Sequence, residues 1–451
     1  MSNGKKDSKS KSVLKKHMIG LEVEVFTLDN SGNMISAADK IIRNMKEKHP
    51  GVDMAKECGK NMIEIRSYPH VNVTNTMEKL LEDFEALLHV TEKEEVSLFP
   101  LGTYPGSFTP DMRQERGYKI KEQIFGKNRF NIAGRCIGFH CHYTLPWGVF
   151  DKINLIPKIL INSKNKQSMV NSYNLLIAMD PALTTFTQSS PFYQGVSLGK
   201  DSRVIVYRGG DVLDYPQGLY ANFQDFGGLQ PYRHTGTDLL HLISSKYDKW
   251  KKTLKKIDVN LKVFRKHGST LDTTWNPVKL NANGTLEQRG MDMNHPMIIT
   301  AAAVVIKYIL KHVQEDFMQV MPSDMGLNEP FRIEENVIFI PPHTYVRRTM
   351  QPKAAHKGLD DQNVFHYCKG LLKLAKSCIP KEKHELIAPF SKMLDERKTV
   401  SDEILQDVKK MGYNLKSNLP GRVAAEIAIE HSKRLFKEVM MTKKMVQDMD
   451  A

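Results

Sequence analysis

Four pairs of ionisable residues, each separated by one position, stand out in the chain: Glu22 and Glu24, Glu64 and Arg66, His140 and His142, and Glu287 and Arg289. In an extended strand, residues i and i+2 share a face about 6.5–7 Å apart, so each pair presents two polar groups side by side. Glu22 and Glu24 are set among Ile19, Leu21, Val23, Val25 and Phe26, not among the Lys, Thr and Ser of a solvated strand face. Two carboxylates that close repel by roughly 3 kcal/mol at an effective dielectric near ~20, and cations or arginines must offset it. The carboxylates of Glu22, Glu24, Glu64 and Glu287 with the imidazole of His140 make an oxygen-rich donor set with one nitrogen. Such a set suits Mg²⁺, with tolerance for Mn²⁺, whereas zinc favours Cys and His in tetrahedral groups. Arg66, Arg203 and Arg289 can each offer a planar guanidinium to two oxygens of a phosphate or carboxylate. Metals and arginines around a polyanion describe phosphoryl transfer, in which catalysis is mostly positioning and charge neutralisation. Neither GxxxxGK[ST] nor GxGxxG occurs, so metals and side chains, not a glycine-rich helix start, would hold the phosphates.

Each pair alone has a plainer explanation. A Glu-x-Glu or Glu-x-Arg strand is commonly solvated surface, His142 can be a hydrogen-bonded core residue, and Cys136 with His140 and His142 could bind zinc, although no fourth ligand is evident. Four such pairs on the main alternating segments favour a shared polar basin. The elements that must position them are strands: His17–Leu28, Asn61–Ser67, Ile137–Leu145 and Gly284–Arg289 all alternate with period two. Helical spacing marks Ala37–Lys48 and Asn75–Thr91, the latter capped by Thr74 or Asn75, and also Tyr247–Gly268, Met297–Phe317, Val364–Cys378, Ser401–Met411 and Gly421–Gln447. Pro181–Gly210 reads as loop with short strands. The expectation is one α+β catalytic unit over residues 17–360, preceded by a disordered basic tail (1–16) and followed by a helical region (361–451) packed on it.

The chain has 451 residues and a net charge of +14, from 65 Lys+Arg against 51 Asp+Glu. Hydrophobic residues at 41% and charged residues at 26% are globular values and exclude wholesale disorder. Met1–His17 is Lys-rich without an apolar core, so it reads as a tail and not a secretory signal. The most apolar window, Met297–Ile306, is closed by Lys307, short of the ~18 residues a membrane span needs; a buried helix and no membrane association are expected. Five cysteines without a CxxC pair point to a reducing cytoplasm. The positive charge suits anionic small molecules. The Lys-rich stretch Lys246–Lys266 raises nucleic-acid binding as an alternative, but it lacks the interleaved aromatics of a stacking platform.

Gly20-Leu21-Glu22-Val23-Glu24 resembles the opening GxExE of the type-2 glutamate–cysteine ligase (carboxylate–amine ligase) family. Further elements follow in that family's order: Ile63-Glu64-Ile65-Arg66, Gly102-Thr103-Tyr104-Pro105, Gly138-Phe139-His140-Cys141-His142, and Ser189 through Gly195. Ser202-Arg203, Trp275-Asn276-Pro277, Thr285-Leu286-Glu287-Gln288-Arg289 and Ala354 through Asp360 come next, with a fainter likeness over Gly421–Ser432. The resemblance implies a glutamine-synthetase-like fold, a curved antiparallel sheet forming a funnel backed by helices, with a helical carboxyl third. It implies ATP-dependent ligation of a carboxylate to an amine, with ATP, glutamate and cysteine or another amine as partners and Mg²⁺ or Mn²⁺ as metal. Glu22, Glu24, Glu64, His140 and Glu287 match metal-ligand positions, Arg289 the arginine on the transferred phosphoryl group, and Arg203 one on a phosphate or the acceptor carboxylate. Arg66, His142, Ser190 and Gln194 fall to nucleotide or substrate binding, and Glu57 to a further acidic position. A glutamine synthetase or a guanidino kinase on the same scaffold stays open, as does a homo-oligomer. The segment between Gly195 and Arg203 is short for the family, Tyr193 stands where Trp is frequent, and His356-Lys357 replaces Arg-Tyr. These departures bear on substrate identity more than on chemistry.

Overall fold

A computed structural model of the chain describes residues 16–158, 163–265 and 269–449; residues 1–15 of the expected tail lie outside the described residues. The four alternating segments become neighbours in one sheet. Its strands are β1 (Ile19–Leu28), β2 (Asp53–Lys56), β3 (Met62–Arg66), β4 (Ser97–Phe99), β5 (Gly138–Thr144), β6 (Val278–Asn281) and β7 (Thr285–Asp292). The order is β6-β7-β5-β1-β3-β2, with β4 pairing the end of β1 that β5 leaves free, and every pairing is antiparallel.

Register places Glu22 opposite both Arg66 and His140, Glu24 opposite Glu64, and His142 opposite Glu287. Directly opposed residues share a face, so the ionisable pairs line one side of the sheet. The alternate residues, among them Leu21, Val23, Ile65, Phe139 and Tyr143, are buried on the other side. The helices Val73–Lys93, Lys164–Phe186 and Pro296–Glu315 pack there. The register of β7 against β5 shifts between Gln288 and Met291, which puts Arg289 and Gly290 in a bulge. Gly290 is required at that bulge: a Cβ would stand 2.3 Å from Asp180 Oδ1 and 2.5 Å from Arg208 Nη2.

Several helices differ from their sequence reading. Val73–Lys93 starts earlier than expected, because the Asn72 side chain caps it by accepting from the Thr74 N–H. Lys164–Phe186 was not expected; it is buried continuously from Ser168 to Phe186, so no polar face betrays a 3.6-residue period. Within the stretch read as loop, Ser202–Arg208 is a helix capped by Asp201. The basic segment is a helix from Gly236 to Lys256 and a short one at Leu261–Arg265. Pro296–Glu315 is, by length and composition, apolar enough to cross a membrane, despite Lys307, but 78% of its apolar window is buried inside the protein. Lys307 Nζ donates to the His17 carbonyl, and the helix serves as a core element. The carboxyl third is helical, and its last helix, Gly421–Asp448, lies along Val73–Lys93 and β4. The architecture is therefore α+β, as expected.

Candidate active site

β1 supplies the centre of the polar face. Glu22 Oε2 lies 3.2 Å from His140 Nδ1, and its Oε1 lies 3.3 Å from His142 Nε2. Burial would raise the Glu22 pKa, but the two imidazoles outweigh it and hold the carboxyl well below the usual range. Burial, helped by the Arg289 charge, pushes His140 down to about 4, whereas neighbouring Glu287 and Glu22 raise His142 against its burial. Glu24 accepts from the Gly138 N–H at 2.6 Å, yet burial and Glu57 push its carboxyl up to about 8. Burial and the carboxylates of Glu57, Glu22 and Glu24 also raise Glu64.

Glu287, 1% exposed, is held on three sides. Its Oε1 accepts from Arg289 Nη1 at 2.6 Å, its Oε2 accepts from Asn281 Nδ2 at 2.7 Å, and Lys279 Nζ stands 3.7 Å away. Burial alone would raise it, but Lys279, Arg289 and His142 keep it ionised. Arg203 is buried and donates to the carbonyls of Gly290 and Arg289 at 3.2 and 3.4 Å. It approaches the sheet where only glycine fits, since a Cβ at 138 would stand 2.2 Å from its Nη2.

Three sets of donor atoms each lie within 4.8 Å of one another: Glu22, Glu64 and His140; Glu22, His142 and Glu287; and Glu24, Glu57 and Glu64. A divalent cation fits this arrangement. The donors are mainly carboxylate oxygens, and burial with neighbouring carboxylates raises Glu24 and Glu64 despite the nearby Arg203, Arg289 and Arg66, a repulsion that a cation would relieve. No cysteine enters any set. Cys141 faces the opposite side of β5 from His140 and His142, against the zinc alternative, and burial pushes the thiols of Cys58, Cys136 and Cys141 up.

A cavity of about 560 Å³ at the outer end of this face is lined by Glu22, Arg66 and His142, and two more open over its centre. One, of about 260 Å³, is lined by Glu22, Glu24, Glu57, Glu64, His140, Arg203 and Arg289 together with Tyr207, Arg208 and Tyr220. The other, of about 490 Å³, reaches Glu287, Lys279 and Asn281 and the rings of Trp250, Phe264 and Trp275. Arg66 stands at the outer end of the sheet face with His142, paired to Asp53 at 3.1 Å and 3.5 Å from Glu64.

Ser190 and Gln194 line none of these cavities. Ser190 is fully buried; its hydroxyl donates to Asp292 Oδ2 at 2.6 Å and accepts from the Arg203 N–H at 3.2 Å, which anchors the Arg203 helix to β7. Gln194 sits in a hairpin turn with φ +52° and accepts from the Ser107 hydroxyl at 3.1 Å. Conversely, Tyr207 and Arg208 escaped notice because their segment read as loop; helical spacing from Arg203 to Tyr207 was the available signal. Lys121, on a short helix over the sheet, carried none. The segment 195–201 is pinned: the Gly195 and Lys200 N–H groups donate to the carbonyls of Pro105 and Ala355, and Lys200 pairs with Asp360 and Asp402.

Fold and site together define a glutamine-synthetase-like α+β protein with an acidic, imidazole-bearing cavity on the polar side of its antiparallel sheet. Over 93% of this chain and 52% of the other, it superposes on a bifunctional glutathione synthetase from Pasteurella multocida, with a TM-score of 0.55 at 12% identity. Over 96% and 92% it superposes on a glutamate–cysteine ligase from Francisella tularensis in complex with AMP, with a TM-score of 0.51 at 11% identity. The chain belongs to glutamate–cysteine ligase family 2, whose sequence profile matches residues 18–336. Similar sequences include proteins provisionally named glutamate–cysteine ligase 2 from Corynebacterium jeikeium (strain K411), 26% identical over 192 residues, and Chromobacterium violaceum, 26% identical over 184 residues. These matches span 42% and 40% of this chain, and 44% and 43% of the relatives, so less than half the length of either.

Proposed function

We propose that the protein is an ATP-dependent carboxylate–amine ligase, and within that class a glutamate–cysteine ligase forming γ-glutamylcysteine through an acyl phosphate. The observation that carries this reading is the convergence of Glu22, Glu24, Glu64, His140, His142 and Glu287 from four strands, with Arg203 and Arg289, on three cavities that all reach Glu22. Family membership supports it. Glu22, Glu24, Glu64, His140 and Glu287 would hold Mg²⁺ or Mn²⁺, which when bound neutralises phosphate charge and lines up the reacting groups.

A free carboxylate is a poor electrophile, so the donor is activated first: its oxygen attacks the γ-phosphorus of ATP, ADP leaves, and the amine then displaces phosphate. Arg289, its guanidinium braced by Glu287, neutralises charge on the transferred group. Arg203 engages a phosphate or the acceptor carboxylate, and Arg66 and His142 act at the outer end of the trough. The displaced phosphate can take the proton of the amine, so a dedicated base is not needed.

The nucleic-acid alternative loses support, because the basic segment is partly spent internally: Lys246 is buried and donates to Asn276, and Lys249 pairs with Asp225. His356 hydrogen-bonds the carbonyls of Leu198 and Leu213. The five free cysteines accord with a reducing cytoplasm. The decisive test is an ADP-release screen across pairs of carboxylates and amines, including ammonia and creatine-like acceptors, with products identified by mass. Turnover dependent on glutamate plus cysteine is expected; phosphorylation of a guanidine without amide formation would replace the reading with a kinase.

A further inference from the structure

The two central cavities share a wall made by Glu22, Tyr118, Lys121, Trp275 and Arg289. Reactants held one in each cavity meet there. Arg289 and Lys279, which also reach the larger cavity, both face Glu287. Lys121 is placed differently: no ion pair joins its Nζ to a carboxylate of the described residues, and it lies 5.0 Å from the centroid of Trp275 and 5.4 Å from that of Tyr118. Its mount is rigid. The helix Arg116–Phe125 buries Ile120 and Phe125, and Phe125, one turn on from Lys121, packs edge-on against Tyr220, Phe223 and Trp275. Burial pushes the Lys121 ammonium below the ordinary lysine value, with Cys58 and Glu57 pulling the other way. A half-buried ammonium outside any ion pair costs free energy that an anion at the wall recovers.

We propose that Lys121 is a catalytic residue of the ligase reaction, its Nζ contacting the phosphoryl group in transit at the wall it shares with Arg289. The proposal rests on the ligase reading above. In the first step an oxygen of the donor carboxylate bonds to the γ-phosphorus, the bond from that phosphorus to the β–γ bridging oxygen breaks, and its electron pair leaves with ADP; no proton moves. In the second, the amine nitrogen bonds to the acyl carbon, the carbon–oxygen bond to phosphate breaks, and phosphate departs with that electron pair and accepts the amine proton. Negative charge shifts among the phosphoryl oxygens and onto ADP in the first step, and a cation fixed at the shared wall stabilises that redistribution.

Lys121→Met keeps the aliphatic stem against Trp275 and Tyr118 and removes the charge, whereas Lys121→Arg keeps the charge. With the full chain, ATP, Mg²⁺, glutamate and cysteine, the Met variant should lose about 10²–10³-fold in kcat with KM for ATP within about threefold of wild type, and the Arg variant should recover at least about tenfold. A Met variant whose kcat stays within about threefold of wild type, or whose only defect is a raised KM, overturns the proposal. So does an Arg variant no faster than Met. Lys121→Gln is read by the same criteria should the Met variant not fold. Tryptophan-fluorescence titration with AMP-PNP separates the two levels of inference. Wild-type protein that binds AMP-PNP but releases no ADP with any carboxylate–amine pair sinks the ligase reading and this proposal with it. A wild type that turns over, with a Met variant whose kcat lies within about threefold of it, sinks only the role of Lys121.

Discussion

The two faces of the sheet are built from the same strands and are both buried, yet they do opposite things. On one, Leu21, Val23, Val25, Ile63, Ile65, Phe139, Tyr143 and Leu286 are each at most 1% exposed and are covered by helices. On the other, Glu24, Glu64, His140, His142 and Glu287 are each at most 7% exposed and border cavities. Burial of the first face stabilises the fold, at about 25 cal/mol for each Å² of apolar surface withdrawn from water. Burial of the second works against it, since Glu24 and Glu64 are carboxyls that resist ionising where they stand. The polar face is thus an electrostatically costly surface that the apolar face keeps folded.

That contrast can be broken at several points. Replacing Glu287 by Ala removes a donor and the brace on Arg289; ADP release should fall about 10³-fold or more, while the thermal unfolding midpoint stays near that of wild type. Phosphate release at close to the wild-type rate with both substrates present would remove Glu287 from the chemistry. On the other face, Phe139→Ala should cost ~3–5 kcal/mol of stability in denaturant unfolding, with kcat per folded molecule unchanged. A selective loss of kcat would show that the two faces are not separable.

Titration sharpens the comparison. The Glu24 pKa is raised on folding, so between the ordinary carboxyl range and about 8 the folded state binds more protons than the unfolded one. Its contribution is therefore fully present below the ordinary range and is lost as pH rises toward 8. Metal-free protein should lose thermal stability over that interval, and added Mg²⁺ or Mn²⁺ should flatten the fall; a stability that rises with pH and ignores both cations would count against the acidic set. Smallest of all, Cys141→Ser should leave activity nearly untouched, because Cys141 points away from the donor sets. A large loss of activity would revive a zinc role.

Much of the fold was legible because period-two alternation is a local property. β1, β3, β5 and β7 lie within or close to their expected spans, and only β7 runs on, past a bulge that no periodicity announces. The buried Lys164–Phe186 helix was hidden for the converse reason: with no solvated side it has no polar stripe to reveal it. The site divides in the same way. Residues two apart on a strand share a face whatever the rest of the chain does, so the pairs at Glu22, Glu64, His140 and Glu287 could be read directly. Which strands lie side by side, and in what register, was not in the alternation.

The sequence by itself determined the paired ionisable residues, the strands that carry them, and most of the carboxyl-terminal helices. Tertiary structure decided the company they keep. It turned Ser190 and Gln194 to anchoring contacts and brought Lys121, Tyr207, Arg208 and Trp275 to the cavities. The physical reason is range: side-chain direction along a strand is set by neighbouring dihedral angles, whereas the approach of a helix to a sheet face is set by packing between residues far apart in the chain.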